Sequence, residues 1–136
     1  MNEVAIFDAV ERIVPGVRNV HSTLGGAGFF HAVVSIRKGS EADGKNAILA
    51  ALGSYPALKH VTVVNDDVDI FDAQDVEWAV ATRFQADRDV VIISDAGGSA
   101  LDPSFDIKGT GTGAKMGLDA TYPLKHARAF ERLSRE

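Results

Sequence analysis

"KHVTVVNDDVDIFDAQDVEWAVATRFQADRDVVII", Lys59 to Ile93, decides how this chain is built. It opens on "KHVTVV", a β-branched run of the kind that parallel sheets bury on both faces. It closes on "DVVII", a second short apolar run of the same character. Between them Val76, Ala79, Val80 and Phe84 fall on one face of a helix. Strand, helix and strand in succession predict a layered α/β fold.

The same stretch carries Asp66, Asp67, Asp69, Asp72 and Asp75. An EF-hand loop does not fit them. Counting from Asp67 puts Phe71 at the fifth position, Asp72 at the glycine and Trp78 at the bidentate glutamate. Counting from Asn65 puts Ile70 and Val76 at those last two positions. Helix chemistry fits better: Asp72 is placed as an N-cap, and Asp75 falls in the first turn near the positive end of the helix dipole. Asp66, Asp67 and Asp69 follow a buried strand, where ligand-facing loops of α/β sheets gather, so a two-carboxylate magnesium site stays open there. Trp78 falls opposite the apolar stripe with Ala81 and Thr82, and is read as core or as a self-association surface.

The flanks extend the pattern. Upstream, "NEVAIFDAVERIV" predicts a helix with Val4, Phe7, Val10 and Val14 on one side, stopped by Pro15–Gly16. "VRNVHS" and "FFHAVVSIR" read as strands around the glycine loop "TLGGAG", and "NAILAALGSYP" reads as a helix closed by Gly53 and Pro56. Ser94 to Thr121 reads as glycine-rich loop, and "PLKHARAFERLSRE" as an amphipathic helix with Leu124, Ala127, Phe130 and Leu133 on one side. Together these predict one three-layer α/β domain over residues 1–136, with a mixed, mostly parallel sheet and flanking helices.

A net charge of −5 and pI near 5.3 lack the clustered cations that nucleic acid or anionic lipid requires. There is no cysteine, which excludes disulfides, thiolate metal sites and thiol nucleophiles. No apolar run reaches the ~18 residues of a membrane span, and the first ten residues carry acids where a signal peptide carries bases. A cytoplasmic protein is expected, and Met1 favours a separately encoded subunit over an excised domain.

No complete catalytic constellation can be read from the residues alone. "GGAG" at Gly25–Gly28 leads into a strand, so it lacks the helix N-terminus that a dinucleotide fingerprint needs. "GTGTGAKMG", Gly109 to Gly117, lacks the GK[ST] ending of a phosphate loop and stays open between an anion nest around Lys115 and a mobile segment. Ser99 in "GGSALDPS" has no nucleophile elbow, and His21, His31, His60 and His126 are dispersed outside any metal-ligand spacing.

The combination is more specific than its parts. "KHVTVVNDDVDIFDAQDVEWAVATRFQADRDVVII", "GSALDPS" and "KMGLDAT", in that order, resemble the C-terminal domain of UbiD-type decarboxylases, the polyprenyl-hydroxybenzoate carboxy-lyases and their relatives. "VPGVRNVHSTLGGAGFFHAVVSIRK" and "GKNAILAAL" extend the resemblance over nearly the whole chain. It implies decarboxylation of aromatic or α,β-unsaturated acids with prenylated FMN, a divalent metal and potassium. Those groups, and the family's catalytic Arg–Glu–Glu/Asp set, belong to an N-terminal region with no counterpart in these residues. No residue here inherits a catalytic or metal-binding role. The resemblance instead implies a subunit, inactive alone, that docks on a flavin-bearing partner through Ser99, Asp102, Ser104, Lys115, Asp119 and Thr121, with a homo-oligomer expected. A non-catalytic oligomerisation or anion-binding module is the alternative.

Overall fold

The computed structural model describes residues 2–131. Its elements are α1 (Asn2–Glu11), β1 (Val17–Ser22), β2 (His31–Ile36), α2 (Asp43–Leu52), β3 (His60–Asn65), α3 (Ala73–Arg83), β4 (Val90–Ala96), β5 (Gly113–Ala120) and a 3-10 segment (Leu124–Phe130). The five strands form one sheet in the order β1-β2-β3-β5-β4. Its two inner pairings, β2 with β3 and β3 with β5, are parallel; each edge adds an antiparallel strand. The expected mixed sheet with flanking helices is therefore present.

The pleat of β3 sorts its side chains to two faces. Val61 and Val63 join the larger core with Ile6, Val10 and Val14 from α1 and its following turn, and Ile48 and Leu52 from α2. Val64 joins the smaller one on the other face with Val33, Val68, Ile70, Ala79 and Ala120, against which Trp78 packs half-buried. Layers of helix, sheet and helix result. Gly117 lets α2 sit directly on β5: a Cβ there would lie 2.2 Å from Ile48 Cγ2.

Four expectations change. Residues 94–121 are not all loop: β4 runs to Ala96, and Gly113–Ala120 forms β5, an inner strand of the sheet between β3 and β4. Glycines at 113 and 117 dilute the apolar signal of that strand, and Lys115 and Asp119 interrupt its alternation. β2 starts at His31, leaving Phe29 and Phe30 in the preceding turn. On α1 the buried stripe is Ile6 and Val10, continued by Val14, while Val4 is 61% exposed. The closing amphipathic helix is a 3-10 segment as far as Phe130, and the remainder of that expectation, including Leu133, lies outside the described residues. Among the described residues no helix is long and apolar enough to cross a membrane.

Candidate functional site

The residues singled out in the sequence gather at opposite ends of the sheet. At the end where β3 begins, the Lys59 ammonium donates to Asp102 Oδ2 (2.7 Å) and Ser104 Oγ (2.8 Å). Asp102 Oδ1 also accepts from Ser104 N (2.9 Å) and Ser104 Oγ (2.7 Å). These bonds, Lys59's first, hold the Asp102 carboxyl at a pKa of about 2. Ser99 Oγ accepts from Leu101 N (3.1 Å), a local turn bond rather than a pairing with a base. The Phe105 ring lies against Gly98 and Gly113, and a cavity of about 40 Å³ remains between Lys59, Ser99, Asp102, Phe105 and Lys115.

Lys115 is a strand residue, only 8% exposed. Its ammonium donates to Pro56 O (2.8 Å) and to Leu58 O, and burial lowers its pKa. It closes the turn that feeds β3. A lysine so engaged offers little to a phosphate, so the anion-nest reading of Gly109–Gly117 loses its cation.

Asp119 and Thr121 stand at the other end, where β2, β3 and β5 terminate. Asp119 is 8% exposed, and burial pushes its carboxyl pKa up, even though Oδ1 accepts from Thr121 N (3.1 Å) and Thr121 Oγ1 (2.5 Å). Gly44 makes room for it at the start of α2: a Cβ there would sit 2.3 Å from Asp119 Oδ2. A polar cavity of about 310 Å³ opens beside it, with Lys38, Arg83 and His126 among its walls. The carboxyl ends of parallel strands are where α/β sheets place ligands.

Arg83 organises this end, and sequence reading missed it. Its side chain is fully buried, pairs with both Asp67 oxygens (2.8 and 2.7 Å), and donates to Asn65 Oδ1 (3.2 Å) and Phe130 O (3.3 Å). The guanidinium lies 4.9 Å from the ring centroids of both Trp78 and Tyr122. Its helical spacing held the clue. Asp75, Ala79 and Arg83 recur every four residues and are all buried, so a cation on the inward stripe required a partner.

The five aspartates now have individual duties. Asp66 faces Arg18 at 3.8 Å, and Asp67 holds Arg83. Asp69 accepts from Phe71 N (3.0 Å), and Asp72 caps α3 by accepting from Gln74 N (3.0 Å). Asp75 is more than a first-turn charge: at 1% exposure it accepts from Asp69 N (2.7 Å), pinning the acidic loop to the helix. Among the described residues no three His, Cys, Asp or Glu side chains are grouped to hold a metal ion.

Comparison with known proteins follows the same outline. The family model of the 3-octaprenyl-4-hydroxybenzoate carboxy-lyase C-terminal domain matches residues 1–120. The anhydromevalonate phosphate decarboxylase of Methanocaldococcus jannaschii is 56% identical over 96% of this chain, which corresponds to 31% of that protein. The UbiD-class enzyme HmfF of Pelotomaculum thermopropionicum, solved with FMN, superposes with a TM-score of 0.92 at 50% identity, covering 98% of this chain and 29% of that one. The 3,4-dihydroxybenzoic acid decarboxylase of Klebsiella pneumoniae superposes with a TM-score of 0.89 at 36% identity, covering 99% and 30%. The chain thus spans about three-tenths of the relatives it matches.

Proposed function

The chain belongs to the family of UbiD-type carboxy-lyase C-terminal domains, and from that membership we propose that it completes a decarboxylase whose flavin-bearing region is supplied alongside it. That region carries prenylated FMN with a divalent metal and potassium, and decarboxylates an aromatic or α,β-unsaturated acid. The observation that carries this reading is one of coverage. Nearly all of this chain matches decarboxylases, and it accounts for only about three-tenths of each. Its own side chains agree with a supporting role: Asp102 is tied to Lys59, Arg83 to Asp67, and Lys115 to backbone carbonyls, so their charges are engaged in holding the domain together.

In this reading Ser99, Asp102, Ser104, Lys115, Asp119 and Thr121 support the surface that meets the flavin-bearing region, and the complex is cytoplasmic. The relative named for anhydromevalonate phosphate makes a phosphorylated unsaturated acid the first substrate to try. The test is to purify the tagged protein from its own host, identify companions by mass and scan for flavin absorbance. A flavin-bearing companion, with decarboxylation of anhydromevalonate phosphate or of 3,4-dihydroxybenzoate that needs both components, is expected. Decarboxylation by the chain alone, or a colourless homo-oligomer with no companion, would replace this reading with an independent enzyme or an assembly module.

A further inference from the structure

The polar cavity at the carboxyl end of the sheet has a buried floor and an exposed rim. Its floor is Arg83, Asp119 and Thr121, each 8% exposed or less. Thr82, Gln85, Arg88 and His126 stand exposed around its mouth. The volume of about 310 Å³ has room for an ion and a short organic body attached to it.

Two groups on that floor lack a partner. The terminal nitrogens of Arg83 make four hydrogen bonds, to Asn65, Asp67 and Phe130. Its Nε–H is buried as well and has no acceptor among the described residues. Asp119 uses Oδ1 for both bonds from Thr121, and its Oδ2 takes none among the described residues. Native folds fill such places with water or a ligand.

The charges around these two groups favour an oxyanion. Lys38, its side chain 4% exposed, is matched by Glu41 at 3.0 Å and keeps one N–H beyond its bonds to Glu41 and Tyr122 O. The Arg88 guanidinium meets only its chain neighbour Asp87, at 3.8 Å, among the described residues. Asp89 opposes an anion, but its Oδ2 already accepts from Gln85 N at 2.8 Å. Burial, the largest influence, and Asp89 raise the Asp119 pKa; the Thr121 bonds and Lys38 lower it, and burial prevails. Once protonated, Oδ2 becomes a donor, and the floor then offers two donors to one ligand.

We propose that this cavity binds a small oxyanion, a phosphate or carboxylate group, held on the Arg83 Nε–H and the Asp119 carboxyl with Arg88 at the mouth. The anion needs a donor at Oδ2, so binding takes up one proton and weakens as pH rises. Asp119 and Thr121 keep the supporting role given above, since the cavity opens between residues which that role does not use. The site is independent of the decarboxylase reading and is tested on the chain alone.

Acetate and sulfate are the probes, because neither changes charge between about pH 5.5 and 7.5. The readout is the Arg83 Nε–H signal in nitrogen-15 NMR spectra, assigned by its loss in Arg83→Met. A saturable shift of that signal is expected with at least one ion, and the tighter of the two separates a carboxylate from a phosphate-type ligand. Affinity should fall severalfold, at most about tenfold, for each pH unit over that range. Asp119→Asn, whose Nδ2–H donates at every pH, should bind with no pH dependence, while His126→Gln keeps the wild-type slope. Arg88→Gln, with a side chain too exposed to disturb the fold, should bind at least about threefold more weakly. Shifts that stay linear in ion concentration, or none at all, mean that water alone fills the floor and overturn the site. A wild-type slope retained in Asp119→Asn, or lost in His126→Gln, overturns the part given to Asp119.

Discussion

Replacing Arg83 with methionine tests the account of the sheet's carboxyl end most directly. The side chain is fully buried, so its four hydrogen bonds are made without competition from water. Breaking a buried ion pair by removing one partner costs about 3–5 kcal/mol. Asp67 is 35% exposed and can rehydrate, which lowers that figure. Methionine keeps part of the packing against Trp78 and Tyr122, but not the cation–π attraction of about 0.5–2 kcal/mol per ring. Nε, which has no partner among the described residues, contributes no bond to lose. The sum is a loss of roughly 3 kcal/mol, or about 1–3 M in urea midpoint for a domain with an m-value of about 1–3 kcal/mol/M. The single tryptophan, Trp78, packs against the guanidinium and reports the change by its fluorescence. Arg83→Lys, which retains the charge but loses the two-pronged geometry, should fall between. A loss below about 1 kcal/mol for Arg83→Met would refute the view that this guanidinium holds the end together.

Three further outcomes are expected. Gly117→Ala drives a Cβ to 2.2 Å from Ile48 Cγ2 and should cost about 1–3 kcal/mol in thermal unfolding; an equal loss in an Ile48→Ala background would show that this contact is not the cause. His31 and His60 stack at 4.4 Å, and burial lowers both pKa values, so the unfolded chain takes up protons first. Stability should therefore fall as pH drops below about 6.5 and level off once the folded form protonates; the double glutamine variant should lose less over that range, and equal losses would contradict the mechanism. Asp72→Ala should cost about 1 kcal/mol as a lost N-cap, and Asp75→Ala about 1–3 kcal/mol because it removes the buried carboxylate that ties the Asp69 N–H to α3; chemical denaturation giving the reverse order would refute the distinction.

The sequence made some of this plain and hid the rest for physical reasons. β3 and α3 were legible because β-branched residues and an amphipathic stripe leave unambiguous periods. β5 was not. Its Gly117 answers the close approach of α2 and its Gly113 the ring of Phe105, and its buried Lys115 and Asp119 answer a turn and a helix start contributed by distant parts of the chain. The same cause divided the expected docking loop, because residues 115 and 119 lie along one strand and look to opposite ends of the sheet. Asp72 was readable as a cap from its neighbours in the chain, whereas the service of Asp75 to Asp69 depended on the path of the loop between them.

The insertion of β5 between β3 and β4 also bears on synthesis. β4 has no neighbour in the sheet until the strand that follows it has emerged, and β3 keeps one side bare for as long. At about 5–20 residues per second, the interval from Ala96 to Ala120 leaves two apolar strand edges open on the ribosome for a second or more. Nascent chains halted in that interval should attract holding chaperones, and chains halted just past Ala120 should release them.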